Sequence, residues 1–147
     1  RYEGDTAVSV PLTVDGTEYA VTCVSMGNPH CIVFVDQDVS TLDLPKIGPS
    51  FENHDMFPER INTEFIRVID DHTLQMRVWE RGSGETLACG TGACAAVVAA
   101  VLNGYCPIGE DVKVILPGGE LYIVYKADGG VTLTGGAEFV FKGTINV

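Results

Sequence analysis

The sequence is short of basic residues and has no apolar run long enough to cross a membrane. Lysine and arginine number 9 against 20 aspartates and glutamates, so the formal net charge is −11 at pH 7. Because affinity for nucleic acid comes largely from Lys and Arg on phosphates, this balance excludes nucleic acid as a partner. The longest uncharged apolar run, Ala93 to Leu102, is about half of the ~20 residues that a spanning helix needs, so we expect no membrane partner. A small anionic substrate stays possible, since a local site can oppose the global charge.

Paired cysteines are also missing. The chain has 5 cysteines, an odd number, and no C-x-x-C pair. This pattern fits neither a disulfide framework nor a four-thiolate zinc site. We therefore expect a reducing, intracellular setting, which means the cytoplasm, or a plastid if the source is a plant.

The length of 147 residues and the absence of linkers predict a single domain over residues 1–147. The segment from Gly92 to Leu102 predicts a helix that is apolar on every face and stops at Gly104. A helix with no polar face must be surrounded. The predicted fold class is therefore α+β, with a mixed, strongly curved sheet of about eight strands wrapped around one buried apolar helix.

Strand patterns cover most of the remaining chain. A hairpin turn is predicted at Asp15-Gly16. One short helix is predicted between Leu42 and Asn53, where prolines weaken the pattern. The other predicted strands are "CIVFV", "INTEFIRVID", "TLQMRVWE", "VKVIL", "ELYIVYK", "VTLTG" and "EFVFKGTINV".

Cys89 stands between an acidic, glycine-rich loop and the apolar helix, in "ERGSGETLACGTGACAAVVAA". The first N–H groups of a helix have no intrahelical partner and the dipole is positive there, so we expect the pKa of this thiol to be lowered. Gly90 and Gly92 would let backbone N–H groups approach a carboxylate. The other interpretation is a small buried cysteine without reactivity.

Four polar residues at predicted strand ends are candidates for the same site. Glu80 and Arg81 offer an acid/base group and a carboxylate anchor, or else a solvated strand end. The Asn-Pro turn in "MGNPHC" leaves His30 at the mouth of a strand, as an acid/base group, a neighbour of a thiol, or a turn residue without a role. Asn62 heads another strand, where it has a functional role or simply caps the turn.

Three segments together resemble a known family. In this order and spacing, "SMGNPHC", "INTEF" and "WERGSGETLACGTGACA" resemble the C-terminal half of diaminopimelate epimerase, over nearly the whole chain. Members of that family have two similar domains, each a curved sheet around a central helix, with the active site in the cleft between them. The resemblance implies an isomerase of lysine and peptidoglycan precursor biosynthesis that interconverts LL- and meso-diaminopimelate without pyridoxal phosphate or metal.

The resemblance also implies roles at the helix start. In the family, one cysteine thiolate removes the α-proton from one face of the substrate, and a second cysteine thiol protonates the other face. Cys89 matches one member of that pair. Gly90, Thr91 and Gly92 match the helix N-terminus that holds the reacting α-carboxylate.

The remaining matches concern the rest of the substrate. His30 and Glu80 match residues that flank the thiols and the reacting amino group. Asn28, Asn62 and Arg81 match the set that recognises the distal, non-reacting end.

The second cysteine of the family lies in its N-terminal half, in a "CGNG"-like motif that these 147 residues lack. Since the chain opens at Arg1 rather than Met, we expect the C-terminal half of a two-domain enzyme, inactive without its N-terminal partner domain. A homodimer is also possible. The alternatives are a related proline-racemase-like or phenazine-biosynthesis-type isomerase, a non-catalytic carboxylate-binding domain, and a structural zinc domain.

Overall fold

The structure, a computed structural model, describes residues 6–146; residues 1–5 and 147, at the ends of the predicted domain, lie outside it. The described strands form one sheet in the order β1-β2-β3-β4-β5-β7-β8-β9, with β6 paired to β5. The elements are β1 (Val10–Val14), β2 (Thr17–Ser25), β3 (Pro29–Phe34), α1 (Leu44–Glu52), β4 (Asn62–Asp70), β5 (Thr73–Glu80), β6 (Gly84–Thr86), α2 (Gly90–Leu102), β7 (Val112–Leu116), β8 (Gly119–Tyr125) and β9 (Val131–Thr134), with a 3₁₀ turn at Val39–Thr41.

The sheet is mixed and curves around α2, as predicted. Strand β4 runs parallel to β3, and β7 runs parallel to β5, whereas the other pairs are antiparallel. Helix α2 contacts β2 near one end of the strand order and both β8 and β9 at the other. A sheet can touch one helix from both ends only if it bends around that helix. The predicted α+β class is therefore confirmed.

Helix α2 begins at Gly90, two residues before the predicted start, and ends as predicted. Residues 92–100 are buried without interruption. At its end, Gly104 adopts a left-handed φ of 77°. The N–H groups of Gly104 and Tyr105 then donate to the carbonyls of Val101 and Ala100. This is a Schellman ending, which glycine favours because it has no Cβ.

The sheet buries a second apolar face beneath α1. Side chains alternate along β3, so that Ile32 faces α2, while Cys31 and Val33 belong to the cluster that contains Leu44 and Phe51 of α1. The short helix predicted between residues 42 and 53 is thus real and covers the face opposite α2. None of the helices within residues 6–146 has the length and hydropathy that a membrane span requires.

The hairpin prediction is confirmed, whereas the last predicted strand is wrong. Asp15 and Gly16 have φ angles of 49° and 78°, as a two-residue type I′ turn requires. The segment "EFVFKGTINV" contains no strand in its described part, and its last residue, Val147, lies outside the described residues. Phe139, Val140 and Phe141 are at least three-quarters exposed. A strand pattern forms a strand only where a neighbour pairs with it, and no strand in residues 6–146 does so.

Candidate active site

The loop after β6 places Cys89 at the N-cap of α2, where the sequence predicted it. The Cys89 Sγ accepts a hydrogen bond from the Gly92 N–H at 3.3 Å, and it lies 3.6 Å from the Thr91 Oγ1. The residue is 9% exposed. As the first N–H groups of the helix, those of Gly90 and Thr91 have no partner inside it. The helix start therefore combines a thiol with backbone donors for an anion.

The predicted lowering of the Cys89 pKa is wrong for this chain. Burial raises the pKa of the Cys89 thiol, and the nearby carboxyls of Glu80 and Glu64 raise it further. The hydrogen bonds with Thr91 and with the Gly92 N–H lower the pKa, but they do not outweigh burial. The helix start thus stabilises the thiolate, whereas the buried surroundings destabilise it. Burial therefore favours the protonated form of the Cys89 thiol.

The "MGNPHC" turn brings His30 and Asn28 to the same helix start. His30 is fully buried, and its Nε2 lies 3.0 Å from the Asn28 Oδ1. The Asn28 Nδ2 donates a hydrogen bond of 3.3 Å to the Thr91 Oγ1. The structure therefore places His30 in contact with Asn28, Asn28 in contact with Thr91, and Thr91 in contact with Cys89.

Glu64, in β4, is a site residue that the sequence interpretation missed. Its side chain is fully buried and lies 2.6 Å from the His30 Nδ1, measured from Oε1. Burial raises the pKa of the Glu64 carboxyl, and the contact with His30 opposes that rise. Among the described residues, its Oε2 has no hydrogen-bond partner. The signal was available, because a carboxylate in the apolar strand "INTEFIRV" must find a buried partner or stay protonated.

Glu80 stands at the end of β5, close to the same thiol. Its Oε1 accepts a hydrogen bond of 2.5 Å from the Thr86 hydroxyl on β6. The short strand β6, which the sequence patterns did not predict, thus orients this carboxyl. Its charge also raises the pKa values of both Cys89 and Glu64.

Asn62 and Arg81 form a second group beside the first. The Asn62 Oδ1 accepts from the backbone N–H of Arg81 at 2.8 Å, and its Nδ2 donates to the Pro29 carbonyl at 2.9 Å. The Arg81 guanidinium donates to the Glu59 carbonyl at 3.0 Å. Asn62 lies directly across the parallel strand pair from His30. Both ends of the Asn62 amide are therefore hydrogen-bonded to the backbone. These bonds fix the end of β5 next to Arg81 and the start of β3 at Pro29, the two strand ends that carry the site.

Comparison with known proteins identifies the family of this chain. The profile of the family described as diaminopimelate epimerase matches residues 22–140. The diaminopimelate epimerase of Desulfitobacterium hafniense is 54% identical over 143 residues, which cover 97% of this chain and 50% of that protein. The one from Cyanothece sp. is 58% identical over 139 residues, which cover 94% and 49%. The chain belongs to the diaminopimelate epimerase family. It spans about half the length of these relatives.

Solved structures share the fold at low sequence identity. A probable proline racemase from Agrobacterium radiobacter superposes with a TM-score of 0.54 at 14% identity, covering 82% of this chain and 42% of that one. A phenazine biosynthesis protein of the PhzF family from Bacillus anthracis gives 0.52 at 20% identity, covering 78% and 38%. These likenesses confirm the fold of this diaminopimelate epimerase family member and carry nothing about its substrate.

Proposed function

We propose that this chain is one half of a diaminopimelate epimerase, which interconverts LL- and meso-diaminopimelate by proton transfer between two cysteines. The observation that carries the proposal is the Cys89 thiol at the N-cap of α2, beside the backbone donors of the helix start. Relatives that are 54–58% identical over nearly the whole chain bear that name.

Cys89 is one of the two proton carriers. Because burial raises its pKa, it rests as a thiol and donates its proton to the α-carbon after the other cysteine, as a thiolate, has removed the proton on the opposite face. In the reverse direction Cys89 starts as the thiolate. General acid–base groups positioned in this way typically contribute 10²- to 10⁴-fold in rate.

The helix start stabilises the charge that develops on the substrate. The N–H groups of Gly90 and Thr91 bind the α-carboxylate, while the N–H of Gly92 holds the Cys89 sulfur. Fixed donors of this kind contribute roughly 3–4 kcal/mol each in sites closed to water. The protein residues alone thus supply the stabilisation, without pyridoxal phosphate or a metal.

The remaining polar residues orient the substrate. His30 and Glu80 flank the thiols and the reacting amino group. Asn28, Asn62 and Arg81 recognise the distal amino-acid end, with the Arg81 guanidinium binding its carboxylate. A substrate held at both ends keeps its α-carbon between the two thiols.

The second cysteine lies on a partner domain that completes the cleft. Two observations support this: the curated relatives are about twice as long as this chain, and the chain exposes Phe139, Val140, Phe141 and Ile145. The five free cysteines support a reducing compartment, the cytoplasm or a plastid.

A domain that only binds a carboxylate is the second candidate, because a thiol with a raised pKa need not react at all. Incubation of the full-length protein with LL-diaminopimelate and, separately, with L-proline decides between the candidates. We expect meso-diaminopimelate to form in the presence of EDTA and L-proline to stay unchanged. Binding of diaminopimelate without conversion would favour the second candidate, and racemisation of proline alone would contradict the proposed substrate.

A further inference from the structure

A continuous line of polar contacts joins the buried Glu64 to the Cys89 sulfur. Glu64 Oε1 lies 2.6 Å from His30 Nδ1, and His30 Nε2 lies 3.0 Å from Asn28 Oδ1. Asn28 Nδ2 lies 3.3 Å from Thr91 Oγ1, which lies 3.6 Å from Cys89 Sγ. The line starts at a fully buried carboxyl on β4 and ends at the N-cap of α2.

We propose that Glu64 is a positioning residue of this site: by holding His30, it fixes Asn28 and Thr91 so that the Thr91 hydroxyl points at the Cys89 sulfur. Glu64 itself touches neither the substrate nor the sulfur in this role.

The direction of the hydrogen bonds in the line follows from the contact between His30 and Asn28. The Asn28 Oδ1 can only accept, so the His30 Nε2 carries a proton. One further proton is shared between the Glu64 Oε1 and the His30 Nδ1, and the pair is neutral overall wherever that proton sits. With its oxygen facing His30, Asn28 directs its N–H groups to Thr91, whose hydroxyl hydrogen is then left for the sulfur.

The start of α2 is shaped to admit the Glu64 carboxyl. A Cβ on Gly92 would lie 2.6 Å from the Glu64 Oε1 and 3.1 Å from the Cys89 Sγ. The first distance is shorter than real Cβ contacts and the second is tight, so glycine at position 92 allows the close approach of the helix start to Glu64. A residue that positions others must itself be held in one place, and the room left by Gly92 allows the buried Glu64 carboxyl to stay beside the helix start.

The charges around the sulfur make the sign of the effect testable. Glu64 on β4 and Glu80 on β5 both raise the pKa of Cys89, Cys94 lies further along α2, and His30 on β3 faces Glu64. If Glu64 acted only as a nearby negative charge, its removal would make Cys89 more reactive. If Glu64 holds the line of hydrogen bonds, its removal takes the Thr91 donor from the thiolate and makes Cys89 less reactive.

The test compares Glu64→Ala, Glu64→Gln and Thr91→Val in the full-length protein. The readout is the rate at which iodoacetamide alkylates Cys89 in the folded protein between pH 7 and 10. The modified peptide that contains Cys89 is quantified by mass spectrometry. We expect Glu64→Ala and Thr91→Val each to slow alkylation about five-fold below the thiol pKa, the effect of one lost hydrogen bond. Glu64→Gln should stay within about two-fold of wild type, because its amide can still donate to the His30 Nδ1.

Faster alkylation in Glu64→Ala would overturn the proposal. If Glu64→Ala does not fold, the other two variants decide: faster alkylation in Glu64→Gln, or no change in Thr91→Val, also overturns it. A second readout, kcat for diaminopimelate, rests on the proposed function. We expect kcat to fall in Glu64→Ala and to stay near the wild-type value in Glu64→Gln. A wild-type protein without epimerase activity would refute the proposed function and leave the alkylation result as the test of the positioning role.

Discussion

At the scale of single residues, the chemistry of the site depends on where Cys89 keeps its proton. The helix start favours the thiolate, and burial among carboxyls favours the thiol. Burial prevails in this chain. A thiol that is protonated at rest suits the proton donor of the proposed two-cysteine reaction, and the other cysteine would then be the base.

This balance predicts the order in which two thiols of the isolated chain react. Cys23 has its pKa lowered by its contact with Cys31, whereas burial raises the pKa of Cys89. In a pH series of iodoacetamide alkylation read by peptide mass, we expect the midpoint for Cys23 to lie below that for Cys89. The reverse order would contradict the burial argument.

Gly92 provides a second prediction at this scale, with Gly90 as its matched control. Both glycines lie in the first turn of α2. A Cβ at Gly90 would meet Leu133 at an ordinary 3.5 Å, while one at Gly92 would collide with the Glu64 Oε1 at 2.6 Å and make a tight contact with the Cys89 Sγ at 3.1 Å. Gly92→Ala should therefore destabilise the chain by about 1–3 kcal/mol more than Gly90→Ala in urea unfolding. Equal urea midpoints for the two variants would show that a Cβ at position 92 does not clash with Glu64.

At the scale of elements, His72 links the β4–β5 turn to the loop before β7. Its ring contacts Asp71 at 2.8 Å and Glu110 at 2.9 Å, which raise the pKa of His72 to about 9. A pKa raised by folding stabilises the fold below the unfolded value of about 6.5, and that stability is lost as the pH rises through about 9.

We therefore expect His72→Gln to lower the melting temperature slightly at pH 6 and not at pH 10. The effect is small because the three groups are exposed, and added salt should shrink it. A gap between wild type and variant that widened with pH would refute the assignment.

The elements also show what the sequence could predict. The Asp15-Gly16 hairpin and helix α2 were predictable because their signals are local: a turn that needs positive φ, and a glycine stop after an apolar run. The Glu64–His30 pair was not predicted, since its partners are 34 positions apart and only the parallel β3–β4 register brings them together. The raised pKa of Cys89 was missed for the same reason, because burial depends on the whole fold.

At the scale of the whole molecule, two observations are consistent with a further partner for this chain. One is the failed strand prediction at residues 138–147, and the other is the match to only half the length of the relatives. The segment has a strand-like pattern, yet Phe139, Phe141 and Ile145 stay exposed. Within residues 6–146 no strand pairs with it. A partner domain or a second copy of the chain would supply the missing neighbour.

We predict that the isolated 147-residue chain does not epimerise diaminopimelate. Under the proposed mechanism it holds one of two proton carriers, and Gly90 and Thr91 at its helix start are exposed. The check is α-hydrogen exchange of LL-diaminopimelate in deuterated water, followed by NMR, with the isolated chain beside the full-length protein at equal concentration. Exchange by the isolated chain at a rate like that of the full-length protein would mean that one cysteine is enough.

The most direct test of the central claim is the same exchange measurement on three forms of the full-length protein: wild type, Cys89→Ala and Cys94→Ala. Cys94 lies on the same helix, is also buried and is also a free thiol, so its variant controls for loss of a cysteine from α2. We expect wild type and Cys94→Ala to exchange the α-hydrogen and convert LL- to meso-diaminopimelate, and Cys89→Ala to lose at least about 10²-fold in the rate of that conversion. Substantial conversion of LL- to meso-diaminopimelate by Cys89→Ala would contradict the claim that Cys89 carries the proton.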